Sequence, residues 1–484
     1  MRIRNLYKKL GVGVKASVVY TLASLLTRGL AIITTPIFTR IMTSAEIGTV
    51  TLYNSWYSMI SAVATLSLTS GGFQLAMKEF EGRRDQYMSS VLSITSLVAM
   101  LIGGVYFGAP GFWQEQLGLS HELIILMLIG FLVAPARDFW MAKQRYEYKY
   151  RRVGILSFAT GILASALSVF AVVLLNSRGS DKIAEGRLFA NYFVIYGVAF
   201  IIWLYVFAKG KTFFSKEYWK FSLSISLPLV GYSMARQVLE VSDRAMISRF
   251  VGDSEVGIYG LLYSVSSLSL LVWNAINASF VPYLYQNMEN KGKEKSIQTM
   301  ASGLLGTYAL VAIAITFFAP EIVRILATEE YYQAIYIAPP IAAGVFLTSV
   351  SHMYSNILLF FRKSKAIMII SVTAALTNVI LNFIFIPIYG YMAAAYTTLI
   401  AYIILAGGEG VIAVRVYRKE TNRKMRVYHN GQILLLGVIT IIMSMAALLV
   451  YNNTILRYTV AVLIGALAVF CVIRVKRGQS VWPL

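Results

Sequence analysis

The feature that most constrains this chain is a series of apolar blocks, each about 20 residues long, separated by short charged segments. A helix of that length crosses roughly 30 Å of hydrocarbon, because each residue adds about 1.5 Å to it. Of the 484 residues, 58% are hydrophobic and only 13% are charged, a balance that excludes an ordinary soluble globular protein. The sequence therefore predicts an all-α polytopic membrane protein.

Fourteen blocks are predicted to span the membrane. They lie at residues 16–38, 47–74, 86–108, 120–141, 153–176, 187–208, 221–248, 257–282, 297–319, 331–360, 366–387, 391–414, 432–451 and 454–473. The first block contains Arg28 and is followed at once by a second, so we do not interpret it as a cleaved signal peptide.

Basic residues are distributed unevenly between alternate loops. If the N-terminus is cytoplasmic, the inner segments hold 32 of the 43 lysines and arginines and the outer segments hold seven. Cytoplasmic loops of membrane proteins are enriched in these residues, so both termini are expected to be cytoplasmic. Because the charge is spread over short loops, anionic membrane lipids explain the net charge of +21 better than nucleic acid does.

Several kinds of chemistry are not expected from the composition. The chain has one cysteine and three histidines, which excludes a disulfide framework and argues against a Cys/His metal site. The cytoplasmic segments contain no Walker-type phosphate loop, so ATP hydrolysis by this chain is not expected.

One short sequence occurs twice, 209 positions apart. Residues 39–48 read TRIMTSAEIG and residues 248–257 read SRFVGDSEVG, and both place a glutamate six residues and a glycine eight residues after an arginine. Each copy follows the first span of a six-span block. This predicts two parallel repeats, an N-lobe over 1–208 and a C-lobe over 209–415, followed by two more helices and a cytoplasmic tail over 416–484. Transporters built from such repeats bind substrate where the repeats meet.

The charged residues of the two copies are expected to be structural. Thr43 and Glu46 fit a capping box, and a glutamate in the first turn of a helix is stabilised by the helix dipole. The structural set is Arg40, Glu46, Arg249 and Glu255.

Three segments resemble the bacterial polysaccharide flippases (Wzx-like proteins of the O-antigen and capsule type) in the MATE/polysaccharide-transporter superfamily. They are SDRAMISRFVGDSEVGIYG (242–260), LTNVILNFIFIPIYGYMAAAYTTLIAYII (376–404) and TPIFTRIMTSAEIG (35–48). The resemblance implies a MATE-like fold with two pseudo-symmetric six-helix lobes and two extra C-terminal helices. It also implies a flippase that moves undecaprenyl-diphosphate-linked oligosaccharide repeat units to the outer leaflet of the plasma membrane. Other polysaccharide assembly proteins are expected as partners.

Ionisable residues inside spans are functional candidates, since each costs about 2.5–3.5 kcal/mol to insert. The seventh span carries Tyr232, Arg236, Glu240, Asp243 and Arg244 on one helical face. This face is expected to contact another helix or water. Internal pairs of Arg236 or Arg244 with Glu240 are an alternative, because residues four apart are neighbours on a helix.

In the first span, Arg28 lies one turn after Ser24, and the repeat offset places it opposite Gln237, next to Arg236. Arginine binds phosphate through two parallel hydrogen bonds. Arg28 and Arg236 are therefore predicted to hold the diphosphate of the lipid carrier. The resemblance implies the same, since these flippases have a cationic cavity.

Uncharged side chains are predicted to line the rest of the path, although asparagine also joins membrane helices. The candidates for a sugar path are Asn54, Tyr57, Asn274, Asn277, Tyr354, Asn356, Asn378 and Asn382. Those chosen as substrate-binding are Ser24, Tyr232, Asn274 and Asn378. Glu240 and Asp243 are candidates for a coupling ion, H⁺ or Na⁺, and no other cofactor is expected. Arg244 is assigned a structural role.

Two more charged positions lie close to inner ends of predicted spans. Arg137 is placed where its side chain can reach the headgroups, with Asp138 beside it, and Glu409 is in a similar position.

Two other functions stay open. An ion-coupled exporter of small amphipathic cations requires a cavity rich in acids and aromatics, whereas the intramembrane charges here are balanced. A membrane polysaccharide polymerase requires a large outer loop with catalytic carboxylates, and the outer segments here are short.

Overall fold

The computed structural model describes residues 12–69, 72–290, 292–422 and 427–476, and it gives the backbone alone for 12–18, 20–25, 27–28, 228 and 467–476. In these residues the secondary structure is helical and contains no strand, as predicted. The chain divides into two compact units, Met1–Gln237 and Val238–Leu484.

The first unit contains eight helices and the beginning of a ninth. They are α1 (Val12–Ile41), α2 (Ser44–Ala64), α3 (Gly72–Glu79), α4 (Arg84–Gly108), α5 (Pro110–Leu117), α6 (His121–Tyr146), α7 (Tyr150–Ser177), α8 (Ile183–Gly210) and α9 (Lys216–Phe250). Helix α7 packs on α1 and α8, and α8 also packs on α4 and α6. An aromatic core that includes Phe73, Tyr87 and Phe139 joins α3, α4 and α6.

The second unit contains the end of α9, nine further α-helices and a 3₁₀ helix. They are α10 (Asp253–Ser266), α11 (Ser269–Asn287), α12 (Glu294–Phe317), α13 (Ala319–Leu326), the 3₁₀ helix Glu329–Ile337, α14 (Ala338–Phe360), α15 (Ser364–Tyr389), α16 (Tyr391–Thr421), α17 (Asn430–Val450) and α18 (Thr454–Lys476). Helix α16 packs on both α14 and α15. Helix α17 packs on α12 and α14, and α18 packs on α12. Tyr451, directly after α17, donates a hydrogen bond to the carbonyl of Thr316 in α12 at 2.9 Å.

Among the described residues, nine helices are long and apolar enough to cross a membrane, or ten if α10 and α11 form one span bent by 41°. The predicted second span, 47–74, is not one helix. The helix ends at Ala64, and Leu66 and Ser67 adopt positive φ angles of 47° and 49° before α3 begins. Helix α6 begins one residue after the start of the predicted fourth span, 120–141, and continues five residues beyond its end.

The helix boundaries recur along the chain. Helix α1 ends at Ile41 and α9 at Phe250, while α2 begins at Ser44 and α10 at Asp253, so both boundaries recur after 209 residues. The short helices α5 and α13 also differ by 209 at both ends, and each has a proline in its first turn.

The two copies of the repeated sequence form helix–turn–helix corners with different local chemistry. In the first corner, Glu46 Oε2 accepts a hydrogen bond from the Thr43 amide at 2.8 Å, and Thr43 Oγ1 accepts one from the Glu46 amide at 3.3 Å. The capping box predicted from the sequence is thus present. In the second corner Gly252 replaces Thr43, with a φ of 149° that favours glycine.

The other charged residues of these corners lie at the helix ends. Arg40 is exposed and donates to the carbonyl of Pro36 at 2.9 Å, within its own helix. Arg249 is exposed in the last turn of α9, and Glu255 is in the first turn of α10. Positions at helix ends fit the structural role expected for this set.

Candidate functional site

Helix α9 carries the predicted charged face, and its residues differ in exposure. Arg236 is partly buried and donates a hydrogen bond from Nη1 to Tyr232 Oη at 3.4 Å. Glu240 is exposed one turn later, whereas Asp243 and Arg244 are buried. The face therefore changes along the helix from an accessible polar surface to a buried ion pair.

The buried pair is surrounded by hydrogen-bond partners and aromatic rings. Arg244 Nη1 lies 2.9 Å from Asp243 Oδ1 and also donates to the backbone carbonyl of Glu240. Tyr259 Oη donates to the other oxygen of Asp243 at 2.5 Å. The Arg244 guanidinium lies 4.2 Å from the centre of the Tyr263 ring, within cation–π distance. Arg244 thus has the structural position expected for it, and its charge neutralises Asp243, a predicted ion-coupling residue.

A polar chain continues from this pair between α15 and α16. Tyr259 Oη also lies near Thr398, whose Oγ1 accepts from Asn378 Nδ2 at 3.2 Å. Asn378 Oδ1 accepts from Asn382 Nδ2 at 3.2 Å, and both asparagines are fully buried. In this conformation Asn378, predicted to bind substrate, joins two helices as asparagine does in many membrane proteins.

Two interhelical hydrogen bonds join α11 to α14. Trp273 Nε1 donates to His352 Nδ1 at 3.1 Å, and one turn further along both helices Asn356 Nδ2 donates to Asn277 Oδ1 at 3.0 Å. Asn274, another predicted substrate residue, lies on the exposed side of α11. Its amide is therefore accessible, whereas the amide oxygen of Asn277 accepts a hydrogen bond from Asn356.

The predicted residues of the first span can be placed only in part. Arg28 and Ser24 belong to α1, but their side chains lie outside the described residues. The repeat partner of Arg28, Gln237, donates from Nε2 to the carbonyl of Ser58 at 3.3 Å.

A cluster of four tyrosines in the first unit was not predicted. We call it the tyrosine cluster, and it consists of Tyr53, Tyr57, Tyr192 and Tyr196. The ring of Tyr57 stacks on Phe131 at 5.3 Å between centroids. The cluster joins α2 and α8 to α6. The only sequence signal is the spacing of four residues within each pair, which places the members of a pair on one helix face.

Gly130 makes room for the cluster on α6. A Cβ atom there would lie 2.2 Å from Tyr196 Oη and 2.9 Å from Tyr57 Cε2. These distances are well below van der Waals contact, so the two rings require a glycine at this position.

Gly130→Ala is therefore expected to lower the free energy of unfolding by about 1–3 kcal/mol, since an added methyl group displaces packed rings. Gly197→Ala is the matched control, because a Cβ there meets no atom within 4 Å. Thermal unfolding of the detergent-purified proteins measures the difference. Equal stability of the two variants would contradict this account of the packing.

Arg137 and Asp138 lie beside the tyrosine cluster. Their side chains are 29% and 48% exposed, and their charged groups are 3.8 Å apart. Both charged groups lie near the Tyr57 hydroxyl. Since α6 continues to Tyr146, Arg137 lies nine residues, about 14 Å along the axis, before the helix end. The helix thus continues past Arg137 to the basic residues Lys143 and Arg145 of its last turn.

Glu409 is almost completely buried in the second unit, with 1% of its surface exposed. Ser351 Oγ donates a hydrogen bond to Glu409 Oε2 at 2.5 Å. The glycines on either side allow close packing, since a Cβ at Gly408 or Gly410 would crowd Ile370 or Tyr354. The Glu409 side chain is thus buried between α14 and α16.

In the described part of the chain, no group of three or more His, Cys, Asp or Glu residues is arranged to hold a metal ion. The charged and polar groups described above can bind and release a polar ligand by hydrogen bonding and charge.

Two protein families and several known proteins are similar to this chain. The family described as "Polysaccharide biosynthesis protein" matches residues 14–288, more than half of the chain, and the MatE family matches residues 228–384. Protein 1 of the Lsg locus of Haemophilus influenzae is 22% identical over 75% of this chain and 89% of its own length. A protein of Haloferax volcanii, named as the probable low-salt glycan biosynthesis flippase Agl15, is 26% identical over 33% of this chain and 34% of its own.

The fold is also found among solved structures. The lipid II flippase MurJ, in an inward closed conformation, superposes with a TM-score of 0.65 at 16% identity, covering 95% of this chain and 98% of the flippase. The overall architecture is thus of the MATE and MurJ type. On the match over residues 14–288, the chain belongs to the family described as "Polysaccharide biosynthesis protein".

Proposed function

We propose that this protein is a flippase that moves undecaprenyl-diphosphate-linked oligosaccharide repeat units from the cytoplasmic to the outer leaflet of a bacterial plasma membrane. The units would serve O-antigen, capsule or exopolysaccharide synthesis. The observation that carries the proposal is the family match over residues 14–288. A likeness in fold to a lipid II flippase over 95% of the chain supports it, as does a relative named as a glycan biosynthesis flippase.

The proposed transporter has fourteen membrane spans and both termini in the cytoplasm. Two lobes, 1–208 and 209–415, would alternate between inward-open and outward-open states, and the pair of helices in 416–484 would lie outside the two lobes. The recurrence of helix boundaries after 209 residues supports this organisation. Polysaccharide assembly enzymes on either side of the membrane would supply and consume the substrate.

Arg236 and Arg28 are proposed to hold the diphosphate. Arg236 is partly accessible on α9, and its contact with Tyr232 at 3.4 Å fixes the direction of the guanidinium. A guanidinium forms two parallel hydrogen bonds to phosphate without a change of protonation. Binding and release in opposite conformations would require no covalent step, so the protein is proposed to be a transporter and not an enzyme.

A coupling ion would be bound on α9. Glu240 is exposed, so its carboxylate is accessible to H⁺ or Na⁺. Asp243 is already neutralised by Arg244 and would bind a cation only if that pair separated. Glu240 is therefore the stronger candidate of the two predicted ion sites.

An ion-coupled exporter of small amphipathic molecules is the second candidate, because the MatE family matches residues 228–384. The two functions differ in what accumulates in cells that lack the protein. A flippase defect leaves finished lipid-linked oligosaccharide in the membrane, whereas an exporter defect leaves lipid pools unchanged and increases drug sensitivity.

The test is mass spectrometry of lipid extracts from cells with and without the gene. We expect the deletion to accumulate a complete diphosphate-linked oligosaccharide and the restored strain to lose it. Truncated repeat units would indicate a transferase defect instead.

A further inference from the structure

Four polar side chains form an accessible patch on the first unit, which we call the N-unit patch: Asn54, Tyr57, Arg137 and Asp138. Asn54 is exposed, Tyr57 is half-buried, and the side chains of Arg137 and Asp138 are 29% and 48% exposed. Arg137 lies 16 residues, about 24 Å, from the start of α6 and about 14 Å from its end. Arg137 and Asp138 belong to α6, one of the helices that are long and apolar enough to cross a membrane.

Hydrocarbon is a poor environment for this patch. An arginine or aspartate at the centre of a membrane helix costs about 2.5–3.5 kcal/mol to insert, even on the lower scale. The Arg137–Asp138 distance of 3.8 Å gives only partial neutralisation. The Arg137 side chain is 29% exposed, so its guanidinium can reach another molecule. These features indicate a surface for a polar ligand.

The patch is held rigidly by the tyrosine cluster. The Tyr57 ring stacks on Phe131 with an interplanar angle of 16°. Tyr192 Oη donates to Asn54 Oδ1 at 2.7 Å, which fixes the amide and leaves its N–H groups as donors. Gly130 lets Tyr196 support the same ring. A preorganised surface of this kind loses little side-chain entropy when a ligand binds.

The chemistry of the patch fits a sugar ring. Carboxylate, amide and guanidinium groups are planar and present paired acceptors or donors, which match two neighbouring hydroxyl groups. An aromatic ring offers an apolar face for the C–H side of a pyranose, and the tyrosine hydroxyl adds a polar edge. Acceptors from Asp138, donors from Arg137 and Asn54, and the ring of Tyr57 supply all of these elements.

We propose that the N-unit patch binds a pyranose ring of the oligosaccharide while the arginines of α1 and α9 bind the diphosphate. The inference rests on the proposed function and adds a second binding region with a separate chemical task. It assigns sugar recognition to α2 and α6, and it makes the affinity for the carrier lipid depend on the attached sugar.

The test measures binding of two probes to detergent-purified protein by microscale thermophoresis. One probe is undecaprenyl diphosphate without sugar, and the other is the lipid-linked oligosaccharide isolated from deletion cells. Wild-type protein is expected to bind the sugar-bearing lipid more tightly. Asp138→Asn is expected to weaken binding of the sugar-bearing lipid about tenfold, because charge-assisted hydrogen bonds are lost. The same variant is expected to leave binding of undecaprenyl diphosphate unchanged.

Further variants separate binding from folding. Asp138→Asn keeps the shape of an exposed side chain, so its fold should be intact, and Asp181→Asn in the exposed loop before α8 is the matched control. Tyr57→Phe should retain most of the sugar preference because it keeps the ring, whereas Tyr57→Ala should lose it. The sugar patch is overturned if Asp138→Asn and Tyr57→Ala keep the full preference of wild type, or if they weaken both probes equally.

Failure of the proposed function gives a different result. If wild-type protein binds neither probe, the flippase function itself is contradicted. If wild-type protein binds both probes equally, diphosphate recognition stands and the sugar patch alone is rejected.

Discussion

Arg244→Ala is expected to lower the free energy of unfolding by about 3–5 kcal/mol, the cost of leaving one charge of a buried pair without its partner. Arg244 and Asp243 are 6% and 1% exposed, and the guanidinium also covers the ring of Tyr263. The measurement is thermal unfolding in detergent, together with the amount of protein in the membrane.

Two further variants show whether the loss comes from the buried charge. Arg249→Ala removes an exposed arginine near the end of the same helix and should have a small effect. Asp243→Asn combined with Arg244→Met removes both charges and should recover part of the stability, because no unpaired ion remains. A stability loss below about 1 kcal/mol in Arg244→Ala would contradict a structural ion pair at this position.

Arg236→Ala is expected to reduce transport about 10- to 150-fold, since a hydrogen bond to a charged group contributes about 1.5–3 kcal/mol. Arg28→Ala is expected to reduce transport by a similar factor. The double variant should accumulate as much lipid-linked oligosaccharide as the deletion strain. The measurement is the level of accumulated lipid-linked oligosaccharide at matched protein levels.

Arg236→Lys distinguishes a phosphate fork from a simple positive charge. Lysine keeps the charge but lacks the planar pair of donors, so an intermediate level of accumulated lipid is expected. Full transport by Arg236→Ala at normal abundance would remove the arginine from the proposed diphosphate site.

Local signals predicted the helix corners well. The Thr43–Glu46 capping box acts within one turn, and its hydrogen bonds are made as expected. The break after Ala64 was not predicted, because the apolar block continues through it in the sequence. Leu66 and Ser67 adopt positive φ angles at this break. Because leucine and serine rarely adopt such angles, their presence in the sequence does not predict the break.

Contacts between distant helices were the main limit for the site. The sequence suggested that Arg244 pairs with Glu240 four residues earlier. The guanidinium instead binds the Glu240 carbonyl and the neighbouring Asp243 carboxylate, while Tyr259 and Tyr263 of α10 complete its surroundings. Helical spacing alone could not indicate those partners.

The tyrosine cluster shows the same limit. Tyr53 and Tyr57 share a face of α2, and Tyr192 and Tyr196 share a face of α8, which the spacing predicts. Tyr53 and Tyr196 are 143 residues apart in the sequence. The contact between the two pairs depends on how α2 and α8 pack around Gly130. The sequence therefore placed Asn54 and Tyr57 among eight candidates for a sugar path but did not indicate the side chains that support them.

The central claim is that this chain moves a lipid-linked oligosaccharide between leaflets, and reconstitution tests it most directly. The purified protein is placed in liposomes that carry the oligosaccharide lipid from deletion cells, and a sugar-oxidising reagent added outside reports which leaflet holds the sugar. The account predicts that the protected inner pool becomes accessible with wild-type protein, far more slowly with Arg236→Ala, and not in protein-free liposomes. An inner pool that stays protected with wild-type protein, with an ion gradient or membrane potential imposed in either direction, would contradict the account.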